Sequence, residues 1–152
     1  MQSIAIARES PTNPAPRELI AELDCYLAQL YPPESNHNLN PEALEGDGSY
    51  FFVARRGDRA VGCAALVSGK LGVAEIKSVW VRQSDRGLGI ATQLLNVLIQ
   101  FAKDSHLHTL QLETGRKQVA SIKLYEKFGF YAIAPFNGYS ADPFSCFYEK
   151  MI

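Results

Sequence analysis

From Glu75 to Phe101 the chain reads EIKSVWVRQSDRGLGIATQLLNVLIQF: an apolar strand, a polar loop rich in Arg and Gly, and a long amphipathic helix. This stretch constrains the fold more than any other. The first backbone N–H groups of a helix have no internal partner, and its macrodipole favours negative charge there. Gly87 and Gly89 would let a diphosphate approach the main chain with no Cβ in the way. The segment reads as an anion site at a helix N-terminus, with the strand before it and the helix behind it as support.

The surrounding pattern tells which sheet that strand belongs to. Ser3 to Arg8 alternates apolar and polar residues, as a half-buried strand does. Pro11, Pro14 and Pro16 predict a stiff turn, and from Arg17 the residues Leu19, Ile20, Leu23, Leu27 and Leu30 recur at helical spacing until Pro32 and Pro33. A long polar loop from Glu34 to Ser49 follows, in which Pro41 to Leu44 predicts one helical turn capped by Asn40. Tyr50 to Arg55, Ala60 to Val67 and Val73 to Val81 are apolar runs joined by tight turns, a three-stranded meander. After the helix from about Gly87 to Lys103, a strand is expected at Thr109 to Glu113 and a helix at Gln118 to Phe128, ended by Gly129. Strands at Phe130 to Ala134 and Ser145 to Ile152 complete the chain. The fold class is α/β in layers: a single mixed, mostly antiparallel central sheet of about seven strands flanked by about four helices. At 152 residues, with no linker or repeat, residues 1–152 read as one domain.

Composition matters here for what it excludes. The formal net charge is −1, so no global field attracts nucleic acid or an anionic membrane, and the anion site must be local. No apolar run approaches the roughly 18–20 residues that span a bilayer, and MQSIAIARES lacks the basic and apolar regions of a signal peptide. Cys25, Cys63 and Cys146 are odd in number and far apart, which leaves no disulfide framework and no Cys-x-x-Cys metal pair. His106 and His108 make only two ligands, so no metal is expected. A cytoplasmic protein is the expectation.

Three phosphate-binding motifs compete for Arg86 to Thr92. A Walker loop needs a Lys followed by Ser or Thr after its second glycine, which Gly89-Ile-Ala-Thr lacks. A dinucleotide fingerprint needs a third glycine where Thr92 stands, and a first glycine directly after the strand, where Arg82 to Arg86 intervene. Arg86-Gly-Leu-Gly-Ile-Ala fits Arg/Gln-x-x-Gly-x-Gly/Ala. With Val79-Trp-Val81 upstream and Gln118-Val-Ala-Ser-Ile-Lys-Leu-Tyr-Glu-Lys-Phe-Gly-Phe130 downstream, the chain resembles the GNAT superfamily of acyl-CoA-dependent N-acyltransferases over essentially its whole length. Gln118 and Ser121 depart from the family's usual Asn and Ala. Tyr31-Pro with Glu34-Ser-Asn-His37, Leu112-Glu-Thr-Gly115, and Tyr139 with Asp142-Pro-x-Ser145 are similar to a subgroup of small bacterial acetyltransferases.

The resemblance implies acetyl-CoA as co-substrate. The backbone of Val79, Trp80 and Val81 would pair with the pantetheine arm, and the N–H groups of Arg86, Gly87, Leu88, Gly89, Ile90 and Ala91 would hold the diphosphate, with Gln118 nearby. The thioester would lie between the Val73–Val81 and Thr109–Glu113 strands, near Val79. Tyr125 matches the family's tyrosine that protonates the departing thiolate. Acylation needs a neutral amine, hence a base. Glu75, read from strand alternation as sharing a face with Lys77 and Val79, and Glu113, at the end of its strand, are the candidates. Asn36 and His37 in the polar loop, and Tyr139 and Asp142 in the last loop, would border the acceptor. Arg116 and Lys117 read as a solvated basic pair.

The leading expectation is an N-acetyltransferase working by direct attack in a ternary complex on a small amine or amino-acid-like acceptor. The alternatives are a protein or peptide N-acetyltransferase and an acyl-CoA-binding regulatory module without turnover. Exposed strand edges in such a fold are compatible with a homodimer.

Overall fold

The structure is a computed structural model that describes residues 3–152. Its strands are β1 (Ile4–Arg8), β2 (Ser49–Arg56), β3 (Arg59–Ser68), β4 (Val73–Val81), β5 (Thr109–Gly115), β6 (Tyr131–Ala132) and β7 (Ser145–Met151). The helices are α1 (Pro14–Leu30), α2 (Ile90–Asp104) and α3 (Val119–Lys127), with single 3-10 turns at Pro33–Ser35, Glu42–Leu44 and Gln83–Asp85. The seven strands form one sheet in the order β1-β2-β3-β4-β5-β7-β6. Only β4 and β5 run parallel.

The expected elements are present, and their boundaries move for local reasons. Helix α1 starts at Pro14, because a proline costs little in a first turn whose N–H groups have no partner anyway. Three α-helices stand where about four were expected: the turn at Pro41 is 3-10, and Asn40 caps it by accepting from Ala43 N at 2.8 Å. Helix α2 starts at Ile90, since Gly87 and Gly89 take positive φ (81° and 77°) in the approach. Helix α3 closes with Phe130 N–H donating to Tyr125 O at 3.0 Å, the return bond of a left-handed cap at Gly129. Among the described residues no helix is long and apolar enough to cross a membrane.

The two sheet faces carry separate cores. On one, α2 lays Leu94, Leu95, Leu98 and Ala102, all fully buried, against Val61, Leu66, Ile76 and Leu112. Burial of each such leucine is worth about 1.5–3 kcal/mol. On the other, Leu19, Ile20 and Leu23 of α1 pack on Phe51, Val53, Cys63 and Trp80.

Strand β4 crosses between these environments because it carries a bulge. Lys77 pairs with Ala65 but Trp80 pairs with Cys63, so Ser78 and Val79 together oppose Ala64. Ser78 takes φ 55°, a conformation a non-glycine residue rarely holds. The alternation therefore slips by one. Glu75 and Lys77 belong to the α1 face, while Val79 joins Val81 against the α2 core. This corrects the expectation that Glu75, Lys77 and Val79 share a face.

Candidate active site

Two clefts meet at the point where β4 and β5 separate. Their parallel pairing runs only from Val73↔Thr109 to Ile76↔Leu112. Beyond it β4 continues to Val81, while β5 continues to Gly115 paired only with β7. The notch is where a parallel ladder stops and each strand follows its antiparallel neighbour. The bulge interrupts the ladder at Ser78–Val79, on the lip of the notch, where Ser78 O accepts from Cys63 Sγ at 3.3 Å.

On the α2 side the notch opens into a cleft between the start of α2 and α3, lined by Trp80, Arg86, Gly89, Val119 and Leu124 among others. Among the described residues no carbonyl is offered to the N–H groups of residues 87–92; the first helical bond runs from Gln93 N to Gly89 O at 3.1 Å. Arg86 N is directed to Gln83 O at 3.4 Å, so the open row begins at Gly87. A Cβ added at Gly87 or Gly89 would meet nothing within 4 Å, so free space lies over these amides. Arg86 Nε donates to Val81 O at 3.1 Å and its guanidinium lies over Trp80 at 4.8 Å, which holds this cation beside the row. Unpaired amides, a helix N-terminus, a fixed guanidinium and open space suit the diphosphate of a CoA thioester.

On the α1 side the notch opens into a second cavity, lined by Leu23, Leu27, His37, Lys77, Glu113 and Phe144 among others. Val79, Gln118, Ser121 and Tyr125 line both spaces, so the two adjoin at these side chains where the sheet parts. Tyr125 is 5% exposed, and no chain hydrogen bond acts on its hydroxyl. Burial, and secondarily the charge of Glu113, raises its pKa far above the ordinary tyrosine value, so it stays protonated.

The carboxylates of the second cavity differ in how they are satisfied. Glu75 Oε2 accepts from Lys77 Nζ at 3.1 Å and from Tyr139 OH at 2.5 Å, and all three are largely removed from water. Lys77 Nζ also donates to Tyr139 OH at 2.8 Å. Burial, with the Glu75 hydrogen bond and charge, pushes the Tyr139 hydroxyl up, so it remains a donor. Burial likewise raises the Glu113 carboxyl above its ordinary value, and neighbouring Ser145, His37 and Lys77 offset only part of this. Two buried atoms near it, His37 Nε2 and Ser145 Oγ, have no hydrogen-bond partner among the described residues.

The architecture and the paired clefts match known proteins. The family model described as "Acetyltransferase (GNAT) family" matches residues 17–130. The chain belongs to the GNAT acetyltransferase family. It is 43% identical over 99% of both chains to the "IAA acetyltransferase" of Azospirillum brasilense. A crystal structure from Klebsiella pneumoniae, an acyl-CoA N-acyltransferase by its description, shares 33% identity over 97% of both chains with TM-score 0.83. A GNAT acetyltransferase of Elizabethkingia anophelis, solved with acetyl-CoA bound, shares the fold at TM-score 0.69 and 20% identity over 98% of both chains. The chain is thus an enzyme of the N-acetyltransferase class.

In this acetyltransferase the residues singled out from the sequence gather in two places. Val79, Trp80, Val81, Arg86, Gly87, Gly89, Ile90, Ala91 and Gln118 line the cleft before α2. Leu88 belongs to the same loop and is exposed. Gln118 Oε1 accepts from Gly115 N at 3.0 Å, which ties α3 to the end of β5. Glu113 and His37 line the second cavity, and Glu75 and Tyr139 stand beside it, bonded to its Lys77. His37 and Tyr139 stack edge to face at 5.0 Å. Asn36 is exposed, and its Oδ1 accepts from Asn38 N at 2.9 Å. Both Asp142 oxygens are engaged, with Ser35 Oγ at 2.7 Å and Phe144 N at 2.8 Å, so this carboxylate fastens the Phe136–Phe144 loop to the Pro33–Ser35 turn.

Sequence reading passed over Lys77 and Tyr31 as site residues. A charge inside the apolar run VAEIKSVWV was a visible signal for Lys77. Tyr31, read from the sequence only as part of a subgroup phrase, lines the second cavity, and its hydroxyl accepts from Lys117 N at 3.1 Å. Lys117 is not simply solvated: its Nζ donates to Leu30 O at 3.0 Å.

Proposed function

We propose that this enzyme moves the acetyl group of acetyl-CoA to the primary amine of a small acceptor by direct attack within a ternary complex. The observation that carries the reading is the meeting of two clefts where the sheet parts: a donor cleft and an acceptor cavity that share Val79, Gln118, Ser121 and Tyr125. Acetyl-CoA supplies the activated thioester. The open amides before α2, with Arg86, hold its diphosphate, and the β4 backbone at Val79 to Val81 aligns the arm. A backbone N–H at the Ser78–Val79 bulge, where the ladder is interrupted, would bond the acetyl oxygen as negative charge develops there.

Glu113 is the base in this reading. Its carboxyl is partly buried and holds a proton more readily than an ordinary glutamate, whereas Glu75 is already bonded to Lys77 and Tyr139. Glu113 accepts the amine proton, the new N–C bond forms, the C–S bond breaks, and Tyr125 OH gives its proton to the departing thiolate. Neither cleft is lined by a cysteine that would take the acetyl group first. The name of the Azospirillum brasilense relative agrees with a small-molecule acceptor.

A thiol-release assay with acetyl-CoA against amines, amino acids and peptides tests this. Release that requires an amine supports the reading, and Tyr125→Phe should lower kcat by about 10²–10⁴-fold, the usual contribution of acid–base catalysis. A melting temperature raised by acetyl-CoA, with no amine producing thiol, would replace it with a non-catalytic acyl-CoA sensor.

A further inference from the structure

We propose that the acceptor is a free α-amino acid with an apolar or aromatic side chain, its ammonium on Glu113 and its carboxylate held by Lys77 and His37. This deepens the N-acetyltransfer reading above and rests on it. The cavity presents three chemistries on three walls. Glu113 on β5 is the acid not already bonded to a cation, and it faces the junction with the donor cleft through Tyr125, which feels its charge. Lys77 on β4 commits two of its three donors to Glu75 and Tyr139, leaving one for the cavity it lines.

His37 completes the anion-binding side. Its ring stands against Tyr139, whose hydroxyl touches Lys77, so the imidazole and the ammonium flank the same residue. His37 Nε2 is buried without a partner. A buried ring nitrogen without a partner, on a residue that lines the cavity, calls for a ligand group, and as the Nε2–H tautomer it would donate to a carboxylate oxygen once a rotation of the ring turns it to the ligand. The third wall is apolar: Leu23 and Leu27 of α1, with Tyr31 and Phe144 meeting edge to face at 6.0 Å.

Other acceptors fit less of this pattern. A monoamine leaves Lys77 and His37 without a ligand group. A diamine sets its second cation against the Lys77 ammonium. A peptide has an amide where the carboxylate belongs, and its chain must leave through a roof fastened by Ser35 to Asp142 and by His37 against Tyr139. The transfer step balances: the ammonium gives one proton to Glu113, the neutral amine forms the N–C bond as the thioester C–S bond breaks, Tyr125 OH protonates the thiolate, and the second nitrogen proton replaces the one Tyr125 gave up.

The test is thiol release at saturating acetyl-CoA with leucine, methionine and phenylalanine, their carboxamides, the decarboxylated amines, putrescine and a tripeptide, products being verified by mass spectrometry. The acids should exceed their amides in kcat/KM by about 10- to 100-fold, the value of charge-assisted hydrogen bonds to the carboxylate. In Lys77→Met and, separately, His37→Phe this ratio should fall toward one, with the acetyl-CoA-induced rise in melting temperature showing that each variant is folded. Amides, simple amines, putrescine or the tripeptide matching the acids would overturn the proposal while leaving an N-acetyltransferase. An unchanged ratio in both variants would overturn the assignment of Lys77 and His37. Acetyl-CoA binding with no release by any amine would overturn the underlying reading instead.

Discussion

Gly115→Ala should break the join between α1 and the β5–α3 corner, and the structure says by how much. A Cβ at Gly115 would overlap the hydroxyl and ring of Tyr31, with Cε2 at 2.6 Å. Tyr31 cannot turn aside cheaply, being 9% exposed and packed on Phe144, with Lys117 over its ring at 5.9 Å. Overpacking of this kind costs about 1–3 kcal/mol, and pushing the ring away also breaks the Lys117 N–H bond to Tyr31 OH, about 1 kcal/mol more. The sum, about 2–4 kcal/mol, corresponds to a fall in Tm of roughly 6–12 °C for a domain of this size. Because Tyr31 lines the acceptor cavity, the acceptor KM should rise more than the acetyl-CoA KM. Calorimetry and steady-state kinetics on the single and double variants read this out. Tyr31→Ala placed with Gly115→Ala removes the clash, so the double variant should lose less than the two single losses added. A Tm within 1 °C of wild type (roughly 0.3 kcal/mol), or full additivity, would refute the reasoning.

Three further outcomes follow from the site and its surroundings. The kcat/KM of wild type should rise with pH through an apparent pKa above the ordinary glutamate value of 4.5, since burial raises Glu113 and the base must be ionised; Glu113→Gln should abolish that limb and lower kcat/KM by about 10²–10⁴-fold. Persistence of the limb would assign it to another group. Asp85 is buried, which alone would raise its pKa, but Arg59, Ser84 and Arg56 hydrogen-bond it and hold it below 3.8. A depressed folded pKa gives stability that is complete above the unfolded value and lost as pH falls through the folded one, so Asp85→Asn should cost about 1–3 kcal/mol at pH 7 and progressively less under acid titration below about pH 4. With a thiol reagent, exposed Cys25 should react in the native protein, while Cys63, fully buried with its thiol pushed up to about 12, should react only at the rate of unfolding; rapid native labelling of Cys63 would show that the α1 core opens.

The donor half of the site was legible because its parts are adjacent in sequence. Gly87, Gly89 and the first turn of α2 are consecutive, and the unpaired amides of a helix start are a local property that needs no tertiary contact to exist. The element order and the β2–β3–β4 meander also followed from periodicity and the turn residues, whereas the insertion of β7 between β5 and β6 did not. The start of α1 was misplaced although the rule was local: Pro14 and Pro16 belong to the first turn rather than to a linker before it.

The acceptor half is another matter. Glu75, Glu113, Lys77, His37 and Tyr139 come from two strands and two loops, and which carboxylate is free depends on who reaches it: Tyr139, 64 residues away, takes Glu75. The Ser78 bulge is a mismatch in count between β3 and β4, invisible in either strand alone, so alternation placed Val79 on the wrong face.

By itself, then, the sequence determined the element order and the open amides before α2, because periodicity, turn chemistry and helix-end amides act over a few residues, and its motif phrases carried the resemblance to the family. The tertiary structure alone decided where β4 and β5 part, which acid is left unsatisfied and which side chains share the cavity. Those depend on burial and on partners brought together across the sheet, and no local rule carries that information.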